Sequence, residues 1–354
     1  MKCSPDLQSD RMFMSELGKK AVENRIPVSG SFELTAACNL KCVHCYIAGP
    51  EPERQKDLDP VDVYKILDAL QEAGCLYLLL TGGEPLLRND FADIYTYAKK
   101  KGFIITVFTN GTLINDSIID LFKKMPPFSV EISLYGATEA IYERITGVSG
   151  SYKASMNGIG RLIDAGIELK LKTILMTHNR HEFQAIAGMA KELGLPFRFD
   201  AGIIPRFNGD KAPVGLRLPA DTAVELEFTD NVRAEQWVQF WDRVVNPAGD
   251  NYLYSCGAGL TTCHINAKGM LQPCLMATDR QYDLKTGDFK PGWETMASIR
   301  SIEKKTGSSC AGCEKITLCG YCPPLFKLEN GSENTCSDYL CSTGRSRYER
   351  LAGD

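Results

Sequence analysis

The sequence predicts an α/β protein, in which a partial, TIM-like (β/α)6 barrel precedes a small, loop-rich, cysteine-rich C-terminal domain. Three observations lead to this prediction. Six short β-rich runs alternate with longer segments of helical period between residues 30 and 204. A Pro/Gly-rich stretch then interrupts the alternation. Nine of the 14 cysteines follow between Cys256 and Cys341, in place of a large apolar core.

The strand candidates are bounded by glycine, proline or polar residues. They are, in order, SFELTA, LYLLLTG, FIITVFTNG, VEISLYG, LKLKTILM and FRFDAGII. The helix candidates between them are DPVDVYKILDALQEAG, DFADIYTYAKKKG, DSIIDLFKKM, YKASMNGIGRLIDAG and EFQAIAGMAKELG. Several begin at a capping residue and end at a glycine. Strand and helix alternating six times predict parallel strands with right-handed crossovers, and a barrel that stays open on one side.

These patterns divide the chain into five parts. They are an N-terminal extension (1–29), the barrel (30–204), connector helices (205–250), the cysteine-rich domain (251–345) and a tail (346–354). The connector contains Phe207, Phe228, Trp237, Phe240 and Trp241. We expect these aromatic side chains to pack between the domains rather than to line a peptide-binding groove. The cysteine-rich domain is expected to need bound metal to hold its shape.

Composition excludes several classes of function. A net charge of −4 without a basic run argues against nucleic acid as a partner. No apolar run is long enough to span a bilayer, and the N-terminus lacks the apolar region of a signal peptide, so we predict a cytoplasmic protein without a membrane partner. Cytoplasmic thiols stay reduced, so the cysteines indicate metal binding. Cys75 is expected to be a buried small apolar residue, and Cys3 to lie in a frayed terminus.

The motif Cys38-x3-Cys42-x2-Cys45 follows the first strand candidate. The C-terminal ends of barrel strands are where such folds bind ligands. A closed zinc site would need a fourth ligand, for which His44 is the nearest candidate. The better fit is a [4Fe–4S] cluster with three irons held by cysteine and the fourth iron open to a cofactor or substrate.

With Tyr46 directly after it, this motif resembles the signature of radical S-adenosylmethionine (SAM) enzymes. The segment TGGEP, Thr81 to Pro85, ends the second strand and is similar to the family's Gly-Gly-Glu-Pro motif. The resemblance implies that this segment binds the methionyl ammonium of SAM, and Glu84 could accept a charge-assisted hydrogen bond from it. Alone, the segment would more simply be a tight turn with a solvent-facing Glu84.

Two further motifs, TNG (Thr109 to Gly111) and SLYG (Ser133 to Gly136), end the third and fourth strands on the same barrel edge. By the resemblance, Ser133 would meet the ribose, the backbone near His44 the adenine, and Arg144 the SAM carboxylate, although Arg144 could equally lie on a helix surface. The residues implied in cofactor binding are His44, Tyr46, Gly82, Gly83, Glu84, Pro85, Asn110, Ser133 and Arg144. Tyr135 stands where many relatives carry Asp, which leaves the ribose contacts open.

The C-terminal cysteines resemble the SPASM extension of radical SAM enzymes, which carries two auxiliary [4Fe–4S] clusters. That resemblance implies a first cluster on Cys256, Cys263, Cys274 and Cys322. It implies a second cluster on Cys310, Cys313 and Cys319, completed by Cys336 or Cys341. The final C-x2-C is shorter than the C-x3-C typical of the extension. Zinc knuckles are the alternative, but five residues between two CxxC pairs are fewer than zinc ribbons use.

The histidines outside the cysteine motif predict no catalytic set, and no catalytic residue is assigned. His178 and His181 follow the fifth strand, where helix capping or surface exposure is expected. His264 is expected to be structural within the cysteine-rich domain.

The resemblance implies an oxidoreductase that cleaves SAM reductively to a 5′-deoxyadenosyl radical and abstracts hydrogen from a substrate. The family favours a peptide or protein side chain, which would be oxidised or cross-linked during maturation. Expected partners are an electron donor such as flavodoxin or ferredoxin and, since only about 30 residues precede the first strand, a separate leader-binding protein. The alternatives are the same chemistry on a small molecule or tetrapyrrole, and a non-catalytic iron–sulfur or zinc-binding module, against which the intact GGEP segment argues.

Overall fold

The structure is a computed structural model that describes residues 7–47, 57–244 and 251–353. Nine strands form one sheet. They are β1 (Ser29–Thr35), β2 (Tyr77–Gly82), β3 (Ile104–Thr109), β4 (Ser129–Ser133), β5 (Leu169–Ile174), β6 (Phe197–Asp200), β7 (Thr262–Ile265), β8 (Met270–Gln272) and β9 (Tyr282–Asp283). Cys3 lies outside the described residues.

The helices are distributed along the whole described chain. They are α1 (Leu7–Glu23), α2 (Pro60–Glu72), α3 (Phe91–Lys100), α4 (Asp116–Lys124), α5 (Glu139–Thr146), α6 (Ser151–Asp164), α7 (Phe183–Glu192), α8 (Ala220–Thr229), α9 (Asn231–Val244), α10 (Phe289–Ala297), α11 (Pro323–Asn330) and α12 (Asp338–Ala352). None of these is long and apolar enough to cross a lipid bilayer.

The strand order is β6-β5-β4-β3-β2-β1-β7-β8-β9. Strands β1 to β7 pair in parallel, whereas β8 and β9 add an antiparallel edge. All six predicted barrel strands are present, and the predicted α/β class with a mostly parallel sheet is confirmed. Because β6 and β9 end the sheet without pairing to each other, the barrel is open.

Alternation along the strands separates an apolar face from a polar one. Phe32 and Leu34 of β1 belong to the main core, together with Val63, Ile66 and Ile94 from the covering helices. The intervening residues of β1 therefore face away from those helices, into the barrel. That inner face carries polar side chains near the ends of the strands, so the interior is suited to a ligand rather than to a packed apolar core.

Helix ends follow signals in the sequence. Asn115 begins α4 by accepting a hydrogen bond from the Ile118 N–H at 3.0 Å. Thr138 begins α5 in the same way with Ile141, and Gly147 ends it in the left-handed conformation. Helix α5 was not among the predicted helices, although both of its ends carry these signals.

The C-terminal part is less separate than predicted. Strand β7 pairs with β1, with Ser29 opposite Thr262 and Ser31 opposite His264, so the barrel sheet continues into the region assigned to the cysteine-rich domain. The free edge of β1 provides the hydrogen-bonding groups that make this pairing favourable. His264 thus lies in the barrel sheet rather than inside a separate cysteine module. The division into domains remains a prediction.

The predicted tail after residue 346 is instead part of α12, which continues to Ala352. Ring contacts join this helix to the connector. The ring centroids of Trp241 and Tyr348 are 5.5 Å apart, and Arg347 Cζ lies 4.6 Å from the centroid of the Trp237 ring. Phe207 differs from the other connector aromatics, because its ring lies 4.9 Å from Tyr46 beside the cysteine motif.

Candidate active site at the barrel edge

The loop after β1 brings Cys38, Cys42 and Cys45 together. Burial raises the pKa of Cys38 to about 11, and the nearby Cys45 adds to this rise. Burial, followed by the charges of Cys45 and Cys38, raises the pKa of Cys42 further above its ordinary value. A positively charged iron cluster bound by the three cysteines would stabilise the thiolates of Cys38 and Cys42, which otherwise resist ionisation.

Backbone contacts from the end of β2 fix the start of this loop. The Gly83 N–H donates to the Thr35 carbonyl at 2.9 Å, and the Glu84 N–H donates to the Ala37 carbonyl at 2.8 Å. An ideal Cβ at Gly83 would lie 2.2 Å from the Ala37 carbonyl oxygen. The two glycines of the GGEP segment are therefore required for the approach of two backbones.

The C-terminal end of α5 holds the middle of the same loop. The Lys41 N–H donates to the Thr146 carbonyl at 2.8 Å, and the Val43 N–H donates to the Ile145 carbonyl at 2.9 Å. Carbonyls in the last turn of a helix have no partner within the helix, so they are available for these bonds. Sequence reasoning missed this support together with the helix that provides it.

Glu84 lies in a different environment from the one predicted. Its side chain is 0 % exposed and accepts hydrogen bonds from Thr109 Oγ1 at 2.7 Å, the Asn110 N–H at 2.7 Å and the Leu86 N–H at 3.1 Å. Burial raises the pKa of Glu84 to about 7. The solvent-facing alternative is therefore wrong, whereas the hydrogen bond from the ammonium stays a prediction, because Glu84 Oε2 accepts only one of these bonds and keeps a lone pair. Glu84 joins the ends of β2 and β3. Pro85, also buried, begins the short 3-10 turn that follows.

Asn110 places a polar side chain beside the first cysteine. Its Nδ2 lies 2.8 Å from Asn39 Oδ1 and 4.0 Å from Cys38 Sγ. Its Oδ1 accepts a hydrogen bond from the Thr112 N–H at 2.9 Å, which fixes the orientation of the amide. Asn110 therefore lies at the rim of the cysteine loop, with an N–H directed towards a sulfur.

Ser133, Tyr135 and His44 lie together on the opposite side of the loop. The rings of His44 and Tyr135 meet edge to face, with centroids 4.6 Å apart. Tyr135 forms a hydrogen bond with Ser133 and lies near Cys42. Burial lowers the pKa of His44 to about 4, so its ring is neutral. Tyr135 thus fills space next to the serine that the resemblance assigns to the ribose.

Tyr46 and Arg144 differ in their exposure. Burial raises the pKa of Tyr46 above its ordinary value, and its carbonyl accepts a hydrogen bond from the Phe207 N–H at 3.1 Å. Arg144 is exposed on the last turn of α5. Burial lowers the pKa of His178, and the charge of Arg144 contributes to that change, so the two side chains are close. His181 is exposed in the turn before α7.

Three cysteines of the C-terminal region form a first group, Cys256, Cys274 and Cys322. Burial raises the pKa of Cys322 to about 12, with smaller contributions from the charges of Cys274 and Cys256. Burial also raises the pKa of Cys274, and the charge of the nearby Cys256 contributes to this rise. Cys274 also lies against a small apolar cluster that includes Leu253 and Tyr254.

Cys263 does not join this group. It is 4 % exposed within the main core, and the neighbouring thiol that affects its pKa is that of Cys75. Both sulfurs lie on the helix-covered side of β1, beside Gly30. The prediction that Cys263 is a cluster ligand is therefore wrong, because alternation along β7 turns Cys263 and His264 to opposite faces. Cys75 is buried, as predicted.

A second group contains Cys310, Cys313, Cys319, Cys336 and Cys341. Burial raises the pKa of Cys341 to about 12, and Cys336, Cys310 and Cys319 contribute to this rise. Burial also raises the pKa of Cys319 to about 11, with contributions from Cys310 and Cys313. Both candidates for the last ligand, Cys336 and Cys341, lie with the other three thiols.

Within the described ranges, no three His, Cys, Asp or Glu side chains converge on a point that could hold a single metal ion. Each thiolate of a cubane cluster binds a different iron, so such a cluster needs neighbouring sulfurs without a common centre.

Comparison with known proteins agrees with this geometry. Residues 32–190 match the model of the Radical SAM superfamily. The chain therefore contains a radical SAM domain.

Curated relatives extend the similarity beyond the radical SAM domain. An AdoMet-dependent heme synthase of Nitratidesulfovibrio vulgaris is 26% identical, covering 92% of this chain and 95% of the relative. The mycofactocin maturase MftC of Mycobacterium ulcerans is 26% identical, covering 83% and 82%. This radical SAM enzyme has a SPASM-type C-terminal domain, and its family implies a [4Fe–4S] cluster and SAM as cofactors.

Solved structures share the fold. Streptococcus suis SuiB bound to S-adenosylmethionine superimposes with a TM-score of 0.69 at 17% identity, covering 96% of this chain and 82% of SuiB. The enzyme anSMEcpe with bound AdoMet has a TM-score of 0.72 at 14% identity, covering 92% and 95%. The radical SAM enzyme described here therefore has the same overall architecture as these two proteins.

Proposed function

We propose that this radical SAM enzyme abstracts hydrogen from a peptide or protein side chain and that the product is an oxidised or cross-linked residue. The observation that carries this proposal is a partly open cavity of about 180 Å³ beside β1, β2 and β7. Its lining includes Ser31 and Leu79 from the barrel strands and Pro273 and Cys274 from the C-terminal region. Pockets for drug-sized ligands occupy about 300–1,000 Å³, so this cavity is suited to a single side chain.

The bound cluster and SAM together supply the 5′-deoxyadenosyl radical. The residues of this chain hold and orient these cofactors. Cys38, Cys42 and Cys45 hold the cluster, and the turn at Gly82 and Gly83 receives the methionyl ammonium. An ammonium needs acceptors, and we assign this role to backbone carbonyls of the turn together with Glu84 Oε2, which accepts only one other hydrogen bond.

The remaining contacts to SAM come from residues around the same loop. Ser133 is assigned to the ribose, beside Tyr135, and the backbone near His44 to the adenine. Tyr46 and Asn110 line the two sides of the cluster loop, and Arg144 is assigned to the carboxylate. These assignments are supported by the position of the residues at the C-terminal ends of neighbouring barrel strands. At such an edge the substrate and the cofactor can be aligned and water can be excluded.

The C-terminal thiols are assigned to two auxiliary [4Fe–4S] clusters. The first group, Cys256, Cys274 and Cys322, provides three ligands. The second provides Cys310, Cys313 and Cys319, with Cys336 or Cys341 as the fourth. Because Cys274 borders the cavity, a cluster held by this group would be close enough to take up an electron from the substrate, which would favour net oxidation. A flavodoxin or ferredoxin is proposed as the electron donor, and a separate protein for binding a leader peptide.

A second candidate is the same chemistry on a tetrapyrrole. It is favoured by the similarity to the heme synthase of Nitratidesulfovibrio vulgaris over 92% of this chain. Solved structures of the same fold hold a bound peptide, which is a precursor peptide in SuiB. The peptide proposal is therefore preferred.

Anaerobic reconstitution tests the proposal. Chain loaded with iron and sulfide, and supplied with dithionite and SAM, should release 5′-deoxyadenosine. Cys42→Ala should abolish this release, because it removes one of three cluster ligands. Cys313→Ala should retain some SAM cleavage but lose product formation on a substrate peptide. Absence of 5′-deoxyadenosine from fully loaded wild-type chain would overturn the assignment, and equal loss in both variants would make the auxiliary clusters structural.

A further inference from the structure

Two buried side chains on the inner face of the sheet have polar atoms without partners. Glu33 of β1 is 6 % exposed and His264 of β7 is 2 % exposed. Phe32 and Leu34 on either side of Glu33 face the helices, so Glu33 faces the barrel interior. His264 stands opposite Ser31 in the parallel register and shares that inner face. Neither side chain is part of the motifs that hold SAM or the clusters.

The two unpartnered atoms face each other. Glu33 Oε1 and His264 Nε2 are 3.8 Å apart, which is too far for a hydrogen bond, and neither has another partner. The Glu33 carboxylate accepts one hydrogen bond from the Ala267 backbone N–H. His264 Nδ1 lies 2.8 Å from Ser31 Oγ, which fixes the ring. In either tautomer of His264, Glu33 Oε1 is an acceptor without a donor within hydrogen-bond distance.

Such an arrangement is unstable when left empty, since a buried polar atom without a partner costs about 1–3 kcal/mol. When the proton of His264 is on Nδ1 and is donated to Ser31, Nε2 is also an acceptor. A single donor atom to one side of the line from Nε2 to Oε1 would then lie within hydrogen-bond distance of both. The site therefore has the chemistry of a receptor for an N–H or O–H group.

Its position connects it to the proposed reaction. Glu33 and Cys45 both lie close enough to Tyr46 to raise the pKa of its phenol, so Glu33 is near the first cysteine motif. On the other side, His264 and Ser31 border the cavity of about 180 Å³, whose lining also contains Cys274. The acceptor pair thus lies between the SAM-cleaving cluster site and the first auxiliary group.

We propose that Glu33 and His264 bind an amine or hydroxyl group at the tip of the substrate side chain. The inference rests on the proposed function and narrows its substrate class to side chains with an apolar body and a donor tip. The apolar body is matched by Leu79, Pro273 and Leu275, which line the same cavity. Burial raises the pKa of Glu33 to about 7. Above that pH, a group that only accepts hydrogen bonds, such as a carboxylate, is excluded because the site then presents a carboxylate.

Methylammonium and acetate serve as probes, each added to the iron-loaded chain and followed by ligand-observed saturation-transfer NMR. Methylammonium should bind saturably, and Glu33→Gln should weaken this binding about tenfold or more, because a charge-assisted hydrogen bond is lost. Ser31→Ala should weaken it less, since it only frees the His264 ring. Acetate should not compete.

Glu131→Gln is the matched control. Glu131 is another largely buried carboxylate of a barrel strand, but it already pairs with Arg198 at 2.7 Å and with Lys172 at 3.7 Å. Its replacement should leave methylammonium affinity as in the wild type. Iron content of each variant verifies that the chain has folded and loaded.

The proposal is overturned by any of three results: no saturable binding to wild type, equal affinity in Glu33→Gln and wild type, or competition by acetate. Should Glu33→Gln fail to fold, an unchanged affinity in Ser31→Ala would overturn it equally. Release of 5′-deoxyadenosine by wild type is a separate measurement. If the wild type releases no 5′-deoxyadenosine, the proposed function is wrong, but the methylammonium measurement still stands. If methylammonium does not bind, the substrate inference is wrong, but SAM cleavage is not affected.

Discussion

Gly83 connects a small sequence signal to the geometry of the cluster loop. Its backbone lies so close to Ala37 that an added Cβ would meet a carbonyl oxygen at 2.2 Å. A carbonyl of the main chain cannot turn aside as a flexible side chain would. The loop that carries Cys38 can therefore take this position only because Gly83, at the end of the neighbouring strand β2, has no side chain.

Replacement of Gly83 by Ala should displace this loop. We expect the free energy of unfolding to fall by about 1–3 kcal/mol, the usual range for overpacking, and SAM affinity to fall with it. Iron content and SAM binding by calorimetry measure the effect. Gly160→Ala is the matched control: its Cβ would meet nothing within 4 Å, so it should bind iron and SAM normally. Normal SAM binding by Gly83→Ala would contradict the close approach.

Cys263 and Cys274 are only eleven positions apart in the sequence. Cys263 lies in the main apolar core, whereas Cys274 lies with Cys256 and Cys322. Cys263→Ala should leave the iron content unchanged, because its thiol lies in the apolar core with Cys75. Cys274→Ala should lower the iron content by the amount that one [4Fe–4S] cluster contains. Iron analysis and electron paramagnetic resonance of the reduced protein distinguish the two. An equal loss of iron in both variants would restore Cys263 to the ligand set.

The ends of β2 and β3 are joined by a single carboxylate. Glu84 accepts hydrogen bonds from Thr109, Asn110 and Leu86, so it connects the GGEP turn to the TNG segment. Glu84 and Thr109 are 25 residues apart in the sequence, yet their hydrogen bond joins the two motifs at the ends of β2 and β3. Local sequence gives no sign of this connection.

Glu84→Gln should weaken this unit. One carboxylate oxygen becomes an amide N–H₂ that faces backbone or hydroxyl donors, so we expect a loss of about 1–3 kcal/mol in the free energy of unfolding. Urea denaturation of the reconstituted protein measures it. The exposed Glu192 provides the control, since Glu192→Gln should change stability by less than about 0.5 kcal/mol. Similar values for both variants would show that the buried bonds contribute little.

The connector and the C-terminal helix are held by a buried charge network. Glu227 of α8 is 5 % exposed and accepts two hydrogen bonds from Arg347 of α12, at 2.9 and 2.8 Å. Arg233 of α9 donates a third at 3.0 Å. Arg347 also donates to the carbonyl of Leu318, beside Cys319. The predicted tail thus supports the second auxiliary group.

Arg347→Ala should leave Glu227 buried with Arg233 as its remaining charged partner. We expect a loss of about 2–4 kcal/mol, towards the lower side of the cost of breaking a buried pair. Arg345→Ala, an exposed position on the same helix, should be nearly neutral. Thermal unfolding compares the two variants. If Arg347→Ala is as stable as Arg345→Ala, the network does not hold the helix.

Iron removal should affect the two ends of the molecule differently. The barrel has a large core, whereas the apolar cluster around Cys274 is centred on Leu253, Tyr254, Ala258 and Ile299. Chelation should therefore expose residues 251–353 to proteolysis while the barrel stays protected. Limited proteolysis with and without chelator measures this. Equal protection of both parts would contradict a metal-dependent C-terminal region.

Much of the barrel could be predicted from the sequence because its signals are local. Alternation gave the six strands, and the capping residues and glycines gave five of the covering helices. The cysteine loop and the strand-end motifs follow the same logic, because parallel strands end at one edge. Helix α5 was missed although its caps are present, since the segment is only eight residues long.

What the sequence determined by itself is the class of chemistry: three closely spaced thiols and a glycine pair after consecutive strands indicate a cluster and its cofactor. Only the tertiary structure decided which side chains serve it. The pairing of β7 with β1 turned Cys263 into the core and His264 towards Glu33, and the approach of β3 to β2 enclosed Glu84. These outcomes depend on contacts between distant segments, and the face that a strand residue takes is fixed only when its partner strand is in place.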